Sequence, residues 1–205
     1  MNLRNVYDTT RLRLTEKIVI IINGKGGAGK DTVCEIAARY FNVEIISAIT
    51  PIKDIARQHG WNGEKDNKAR RFLSDLKRAF IKYNDLPNRY LEAEYDKFEQ
   101  SDNDILFVHI RERDQIDDFI RRVRIKCVTL LVRSSKVEKL GEFGNSSDDD
   151  VENYHYDYYY TNGRPMSELI PTFMDFLVDS LLTEEGITYE KKPENIPWRS
   201  NVHLC

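Results

Sequence analysis

Apolar and polar positions fall into two alternating kinds of block along this chain. Short, nearly continuous apolar runs read as strands at Lys17–Asn23, Val43–Ser47, Asp104–Ile110, Lys126–Val132 and Tyr156–Thr161. Between them the apolar residues recur at helical spacing. One helix is expected from the end of the first loop to about Phe41. A second opens with Thr50 as N-cap and Pro51 in the first turn, carries Lys53 and Arg57, and stops near Gly60. From Asp66 to Tyr83 the residues Ala69, Phe72, Leu73, Leu76, Phe80 and Tyr83 form one stripe. Arg70 and Lys77 flank it, and Arg71 and Arg78 point away. Further helices are expected from Pro87 to about Gln100, around Ile116, Phe119, Ile120 and Val123, and from about Ser167 to Leu182, with Pro171 in the first turn of the last.

Strands alternating with helices predict an α/β domain. The expected architecture is a doubly wound five-stranded parallel sheet with helices on both faces. In such sheets ligands sit at the carboxyl ends of the strands, so Ser47, His109, Arg111, Arg133 and Asn162 should converge there. The domain is expected over 17–182, with a helical acceptor-binding region at about 50–100 and a polar, lid-like loop at about 133–152. A polar appendage (1–16) and an aperiodic tail (183–205) flank it.

The chemistry starts in the stretch Gly24-Lys25-Gly26-Gly27-Ala28-Gly29-Lys30-Asp31-Thr32, between the first strand and its helix. Strand, glycine-rich turn and helix in that order make a phosphate cradle. Glycines bring several N–H groups onto one anion, Lys30 reaches the β- and γ-phosphates, and the helix N-terminus adds partial positive charge. Asp31 stands where the usual pattern has Ser or Thr, the position that faces the metal. A carboxylate suits Mg²⁺, which prefers oxygen ligands. Thr32 comes one residue too late for that role.

Bulk properties narrow the partners. The chain has 205 residues and a net charge of −3, which argues against a general binder of nucleic-acid polymers. The charge is uneven: Lys53–Arg89 holds ten basic and five acidic residues, and Ser134–Asn162 two basic and seven acidic. A basic segment beside a phosphate loop points to a second anionic ligand, with a solvated helix face as the alternative. Cys34, Cys127 and Cys205 show no metal or disulfide spacing, and no apolar run reaches membrane-spanning length. A cytoplasmic protein with no membrane partner is expected, and oligomeric state is not legible.

A kinase needs an acceptor site beside its donor site. Lys53, Arg57, Arg70, Arg71, Arg89 and Arg111 are the candidates, because arginine forks match phosphate oxygens. An acceptor phosphate is already ionised near neutral pH and needs no general base. No Asp stands out as one, although Asp54 is available.

Several segments resemble a known group. Gly29-Lys30-Asp31-Thr32 resembles the loop of phage-type deoxynucleoside monophosphate kinases, and animal phosphomevalonate kinases have a similar Gly-Lys-Asp loop. Pro51-Ile52-Lys53-Asp54, Arg70-Arg71-Phe72-Leu73-Ser74-Asp75-Leu76, and Thr161-Asn162-Gly163 followed by Ser167-Glu168-Leu169 are similar to later segments of the phage enzymes. The resemblance implies a P-loop kinase of the nucleoside monophosphate kinase type, a three-layer sandwich using ATP and Mg²⁺. Its acceptor would be a nucleotide or another small phosphorylated metabolite. The resemblance carries substrate-phosphate duty to Lys53, Arg70 or Arg71, and Arg111. The residues themselves assign nucleotide binding to residues 24–32 and Asn162, metal to Asp31, acceptor holding to Arg70, Arg71 and Arg111, and catalysis to Lys30, Arg111 and Arg133. Two departures stand out. His109 replaces the family's Asp two residues before the arginine, and the loop after Arg133 is acidic, which leaves Arg133 as the residue to cover ATP before Arg164. The same loop also resembles that of partition and division-site ATPases, in which Lys25 would act across a dimer. A nucleotide-binding module with little turnover is a further alternative.

Overall fold

The computed structural model describes residues 12–64, 66–135, 151–163 and 165–191. The expectations for residues 1–11, for the lid-like loop between 136 and 150, for Arg164 and for the tail from 192 onward lie outside the described residues.

Five parallel strands form the central sheet: β2 (Ile18–Asn23), β3 (Val43–Ser47), β4 (Ile105–His109), β5 (Lys126–Ser134) and β6 (Tyr158–Asn162). Their spatial order is β3-β4-β2-β5-β6. Central β2 pairs on one side with β4 (Ile18 opposite Ile105) and on the other with β5 (Ile18 opposite Lys126). The helices are α1 (Lys30–Ala38), α2 (Thr50–Gln58), α3 (Asn67–Asn84), α4 (Leu86–Gln100), α5 (Arg113–Ile120) and α6 (Met166–Asp175). The last continues as a wider helical turn over Phe176–Leu182.

All six residues of β2 are buried. Alternation sends Ile18, Ile20 and Ile22 into a core shared with α1 and α6, and Val19 and Ile21 into a second core with Leu91, Tyr95 and Phe98 of α4 and Ile116 and Phe119 of α5. Each fully buried Ile contributes about 2–3 kcal/mol by removal from water. The expected three-layer, doubly wound architecture is the one observed, and strand β2 is fixed from both sides before any ligand is considered.

Four local expectations are corrected. Thr50 is the first residue of α2 and gives it no side-chain cap; the cap position is Ile49. Pro171 lies inside α6 instead of its first turn. The stripe on α3 is not buried: Phe72 is 45% and Tyr83 83% exposed, and Lys77 is the residue of α3 that is buried. The reason is position. Helices α1, α4, α5 and α6 cover the sheet, while α3 packs against α2 and α4 and reaches α5 through Lys77. Finally, a short strand β1 (Leu12–Leu14) pairs antiparallel with β7 (Tyr189–Lys191), so parts of the expected appendage and tail join in a small second sheet. Leu12 and Leu14 are buried in the first core.

Candidate functional site

The glycine-rich loop leaves the carboxyl end of β2 and enters α1. Two of its glycines are required by space as well as by backbone angle. Gly24 has φ 148°, and a Cβ there would lie 2.3 Å from the Val132 carbonyl oxygen of β5. Gly29 caps α1 with φ 91° and ψ 24°, and a Cβ there would meet the Asn162 amide. The Ala28 N–H donates to the Lys25 carbonyl (3.1 Å), which tightens the bend. Asn162, at the end of β6, donates from Nδ2 to the Ala28 carbonyl (3.2 Å).

Lys30 folds back over this bend. Its Nζ donates to the carbonyls of Gly24 (2.6 Å) and Lys25 (3.0 Å). Its neighbour Asp31, also in the first turn of α1, is 88% exposed. Among the described residues no cluster of three His, Cys, Asp or Glu side chains could hold a metal. A lone exposed carboxylate beside a phosphate cradle fits Mg²⁺, which keeps several waters and takes its remaining ligands from phosphate oxygens. Asp31 is the residue that would hold it.

His109 ends β4 with its Nε2 3.8 Å from Asp31 Oδ1 and 3.9 Å from the Cys34 sulfur. Burial pushes its pKa down to about 4, and the field of Lys30, Lys53 and Arg111 acts in the same direction against the pull of Asp31. The ring is therefore uncharged at neutral pH. Of these groups, Asp31 is the one within ion-pairing reach of the ring, and Lys30, Lys53 and Arg111 act on it through their charge. Cys34 is fully buried, and burial holds its thiol well above the usual range, so it is a core residue.

The remaining sequence candidates fall in three places. Arg70 and Arg71 are exposed on α3. Arg70 stands two helical turns before Lys77 and leaves α3 on the same side, whereas Arg71 is turned about 100° away. Lys77 Nζ reaches Glu112 Oε2 (2.5 Å) and Gln115 Oε1 (2.9 Å), and Gln115 in turn donates to Asn88 of α4 (3.0 Å). This buried network, not legible in the sequence, joins α3 and α4 to the turn that carries Arg111. Arg133 makes a two-pronged pair with Glu152 (Nε–Oε2 3.0 Å, Nη2–Oε2 2.6 Å) and lies over the Tyr159 ring at 5.0 Å. Lys25 is half-buried in the bend.

The Lys77–Glu112 pair has a testable sign. Burial lowers the Lys77 pKa from its ordinary 10.5, and Glu112 offsets that. A lysine depressed on folding binds fewer protons in the folded than in the unfolded chain, so stability rises with pH below 10.5. Glu112→Ala is expected to destabilise by about 1–3 kcal/mol, because it strands a buried ammonium. The loss should shrink as pH is raised from 7 towards 10, followed by denaturant unfolding across that range.

Strand β2 ends in Asn23, which no sequence signal singled out. It is 1% exposed and all its polar atoms are used. Its Oδ1 accepts from the Gly24 N–H (2.8 Å), and its Nδ2 donates to the Arg111 carbonyl (3.1 Å) and the Tyr156 hydroxyl (2.8 Å).

Comparisons place the chain among known structures only distantly. No protein-family model matches it, and no curated protein matches it. It is similar to the solved structure of the APS kinase of Mycobacterium tuberculosis, in complex with AMPPNP and APS (12% identity, 79% of this chain and 98% of that one, TM-score 0.43). It is likewise similar to the shikimate kinase of Aquifex aeolicus (12% identity, 83% and 96%, TM-score 0.44) and to a sugar kinase of a Janibacter species (15% identity, 79% and 94%, TM-score 0.45). Among the described residues no helix is long and apolar enough to cross a membrane.

Proposed function

We propose that this protein is an ATP- and Mg²⁺-dependent kinase that moves the γ-phosphoryl group onto a small phosphorylated acceptor, most plainly a (deoxy)nucleoside monophosphate. The observation that carries the reading is the Lys30 ammonium clasped over a glycine bend at the carboxyl end of the central strand, with the first turn of α1 directly behind it. N–H groups from Gly26 to Thr32 would surround the β-phosphate, and Asn162 would brace the bend from β6. On binding, Lys30 would exchange backbone carbonyls for phosphate oxygens and neutralise the charge that builds on them in the transition state. Asp31 would hold Mg²⁺, which would supply charge neutralisation to the bound triphosphate. Transfer forms a bond from an acceptor oxygen to the γ-phosphorus and breaks the bond to the β–γ bridging oxygen, releasing ADP.

The acceptor assignment rests on charge. Lys53 and Arg111, with Lys30, are among the positive charges that lower the His109 pKa, and Arg70 leaves α3 on the Lys77 side. Asp54, the carboxylate available as a base on α2, is paired with Arg57 at 2.9 Å. With Asp31 given to the metal and Asp54 paired, these cations suit an acceptor that arrives ionised. Arg133 would cover bound ATP once phosphate draws it from Glu152.

The direct test is ADP release with ATP, Mg²⁺ and a panel of nucleoside monophosphates and other phosphorylated metabolites, with unphosphorylated alcohols as controls. Turnover with alcohols alone overturns the acceptor assignment. Within an active pair, Arg111→Ala is expected to raise the acceptor KM about 10–100-fold, the loss of one or two charge-assisted bonds, and to leave the KM for ATP within about threefold. Equal loss of both would assign Arg111 a structural role.

A further inference from the structure

Asn23 is a buried polar side chain that the proposed chemistry does not use, although it touches both halves of the site. Its orientation is fixed by its partners. The Gly24 N–H can only donate, so it faces Oδ1; the Arg111 carbonyl can only accept, so it faces Nδ2. The second Nδ2 hydrogen goes to the Tyr156 hydroxyl, whose own O–H donates to the Val151 carbonyl at 3.0 Å. Tyr156 is 1% exposed and held by edge-on rings from Tyr154 and Tyr159. Three backbone segments thus meet at one amide: the start of the glycine bend, the turn carrying Arg111, and the chain returning into β6.

We propose that Asn23 is a positioning residue that couples the ATP-phosphate loop to the acceptor arginine, with Tyr156 holding its amide in the one orientation that serves both. The inference rests on the kinase reading above and deepens it. When the Gly24 end of the loop is ordered by triphosphate, Asn23 carries that order to the Arg111 carbonyl, and the acceptor fork is set before the acceptor arrives. Asn23 and Tyr156 are each 1% exposed, so neither would touch substrate. The coupling runs through hydrogen bonds to backbone atoms that no side-chain change at Arg111 removes.

The probe is amide hydrogen exchange, with Mg²⁺ and a non-hydrolysable ATP analogue, on wild type, Asn23→Asp and Tyr156→Phe. Asn23→Asp keeps the acceptor for Gly24 and deletes both donors; Tyr156→Phe keeps the packing and deletes the hydroxyl. In wild type the analogue is expected to slow exchange about tenfold or more in residues 24–32 and also in residues 110–113. In Asn23→Asp the first protection stays and the second falls to near its nucleotide-free level; Tyr156→Phe shows a partial loss of about threefold. Persistence of the 110–113 protection in both variants overturns the coupling. Loss of both protections together in Tyr156→Phe, which spares the bond to Gly24, would make the network merely structural and also overturns it. Wild-type protein left unprotected at 24–32 by the analogue overturns the phosphate-site reading, and this inference with it. A kinetic arm separates the roles again. With an active monophosphate, Asn23→Asp should raise the acceptor KM about tenfold and the ATP KM by less than threefold, and add nothing further in the Arg111→Ala background. An additive effect there would mean that Asn23 does not act through Arg111. Should Asn23→Asp fail to fold, Tyr156→Phe carries both arms.

Discussion

Lys30→Ala is expected to lower kcat/KM by about 10³-fold, equivalent to about 4 kcal/mol of transition-state stabilisation at 1.36 kcal/mol per decade. The expectation follows from where the ammonium sits. It already bridges two loop carbonyls at hydrogen-bonding distance, so it is held over the bend before any nucleotide binds and needs little rearrangement to meet phosphate. The same two bonds also stabilise the empty loop. Their loss is expected to cost about 1–2 kcal/mol of folding stability, a shift of a few degrees in melting temperature. The two effects separate in one experiment, steady-state turnover beside thermal unfolding. A variant that lost only a few degrees and kept its rate would end the phosphoryl-transfer reading. Lys30→Gln, with similar reach and no charge, should fall close to the alanine variant if charge is what acts.

Gly24→Ala is expected to be severely damaging for a change of one methyl group. The added Cβ would stand 2.3 Å from the Val132 carbonyl oxygen, and the residue would have to keep φ at 148°. Backbone cannot swing aside as a flexible side chain can, so β5 or the loop must move. A destabilisation of about 3 kcal/mol is expected, roughly 5–10 °C in melting temperature. Because the displaced atoms include the Gly24 N–H that Asn23 holds, affinity for an ATP analogue should fall more than tenfold in the same variant. Gly163→Ala is the matched contrast. Its Cβ would come tightly against the Ser135 hydroxyl oxygen, at 2.8 Å, a group that can rotate away, and would meet the Ser135 Cβ at an ordinary 3.7 Å. A change within about 1 kcal/mol is expected there, measured by the same unfolding assay.

The layered fold was legible because burial on both faces leaves a plain mark. Strand β2 is all apolar up to Asn23, β4 is apolar up to His109, and no helix can use such a run at that length. The glycine bend was legible for a similar reason, since its residue types answer a backbone need that is local. What escaped the sequence depends on partners far along the chain. The α3 stripe has the spacing of a buried face, yet the surface it would cover is already taken by α4 and α5, and the residue that goes inside is Lys77, because Glu112 and Gln115 receive it. Asn23 looks like any polar residue after a strand; its use is visible only once Arg111 and Tyr156, 88 and 133 residues away, are beside it. Glu152 carries no sign in the sequence that it grips Arg133. Strands β1 and β7 are three residues each, too short for alternation to register.

That last pair sets an order on folding. The Thr15 hydroxyl bonds to the Thr188 carbonyl across 173 residues, so this little ribbon forms only after nearly the whole chain between has been gathered. Relative to a ten-residue hairpin, closing so long a span costs about 2.5 kcal/mol more in chain entropy, at about 0.6 kcal/mol per doubling. Once the five-stranded sheet has brought the two ends near, its own contacts have met most of that sum, and the packing of Leu12, Leu14, Phe41 and Tyr189 has only a short remaining span to offset. Neither strand of this seam contributes a residue to the glycine bend, so opening the seam removes none of the bonds that Lys30 and Asn162 make to it.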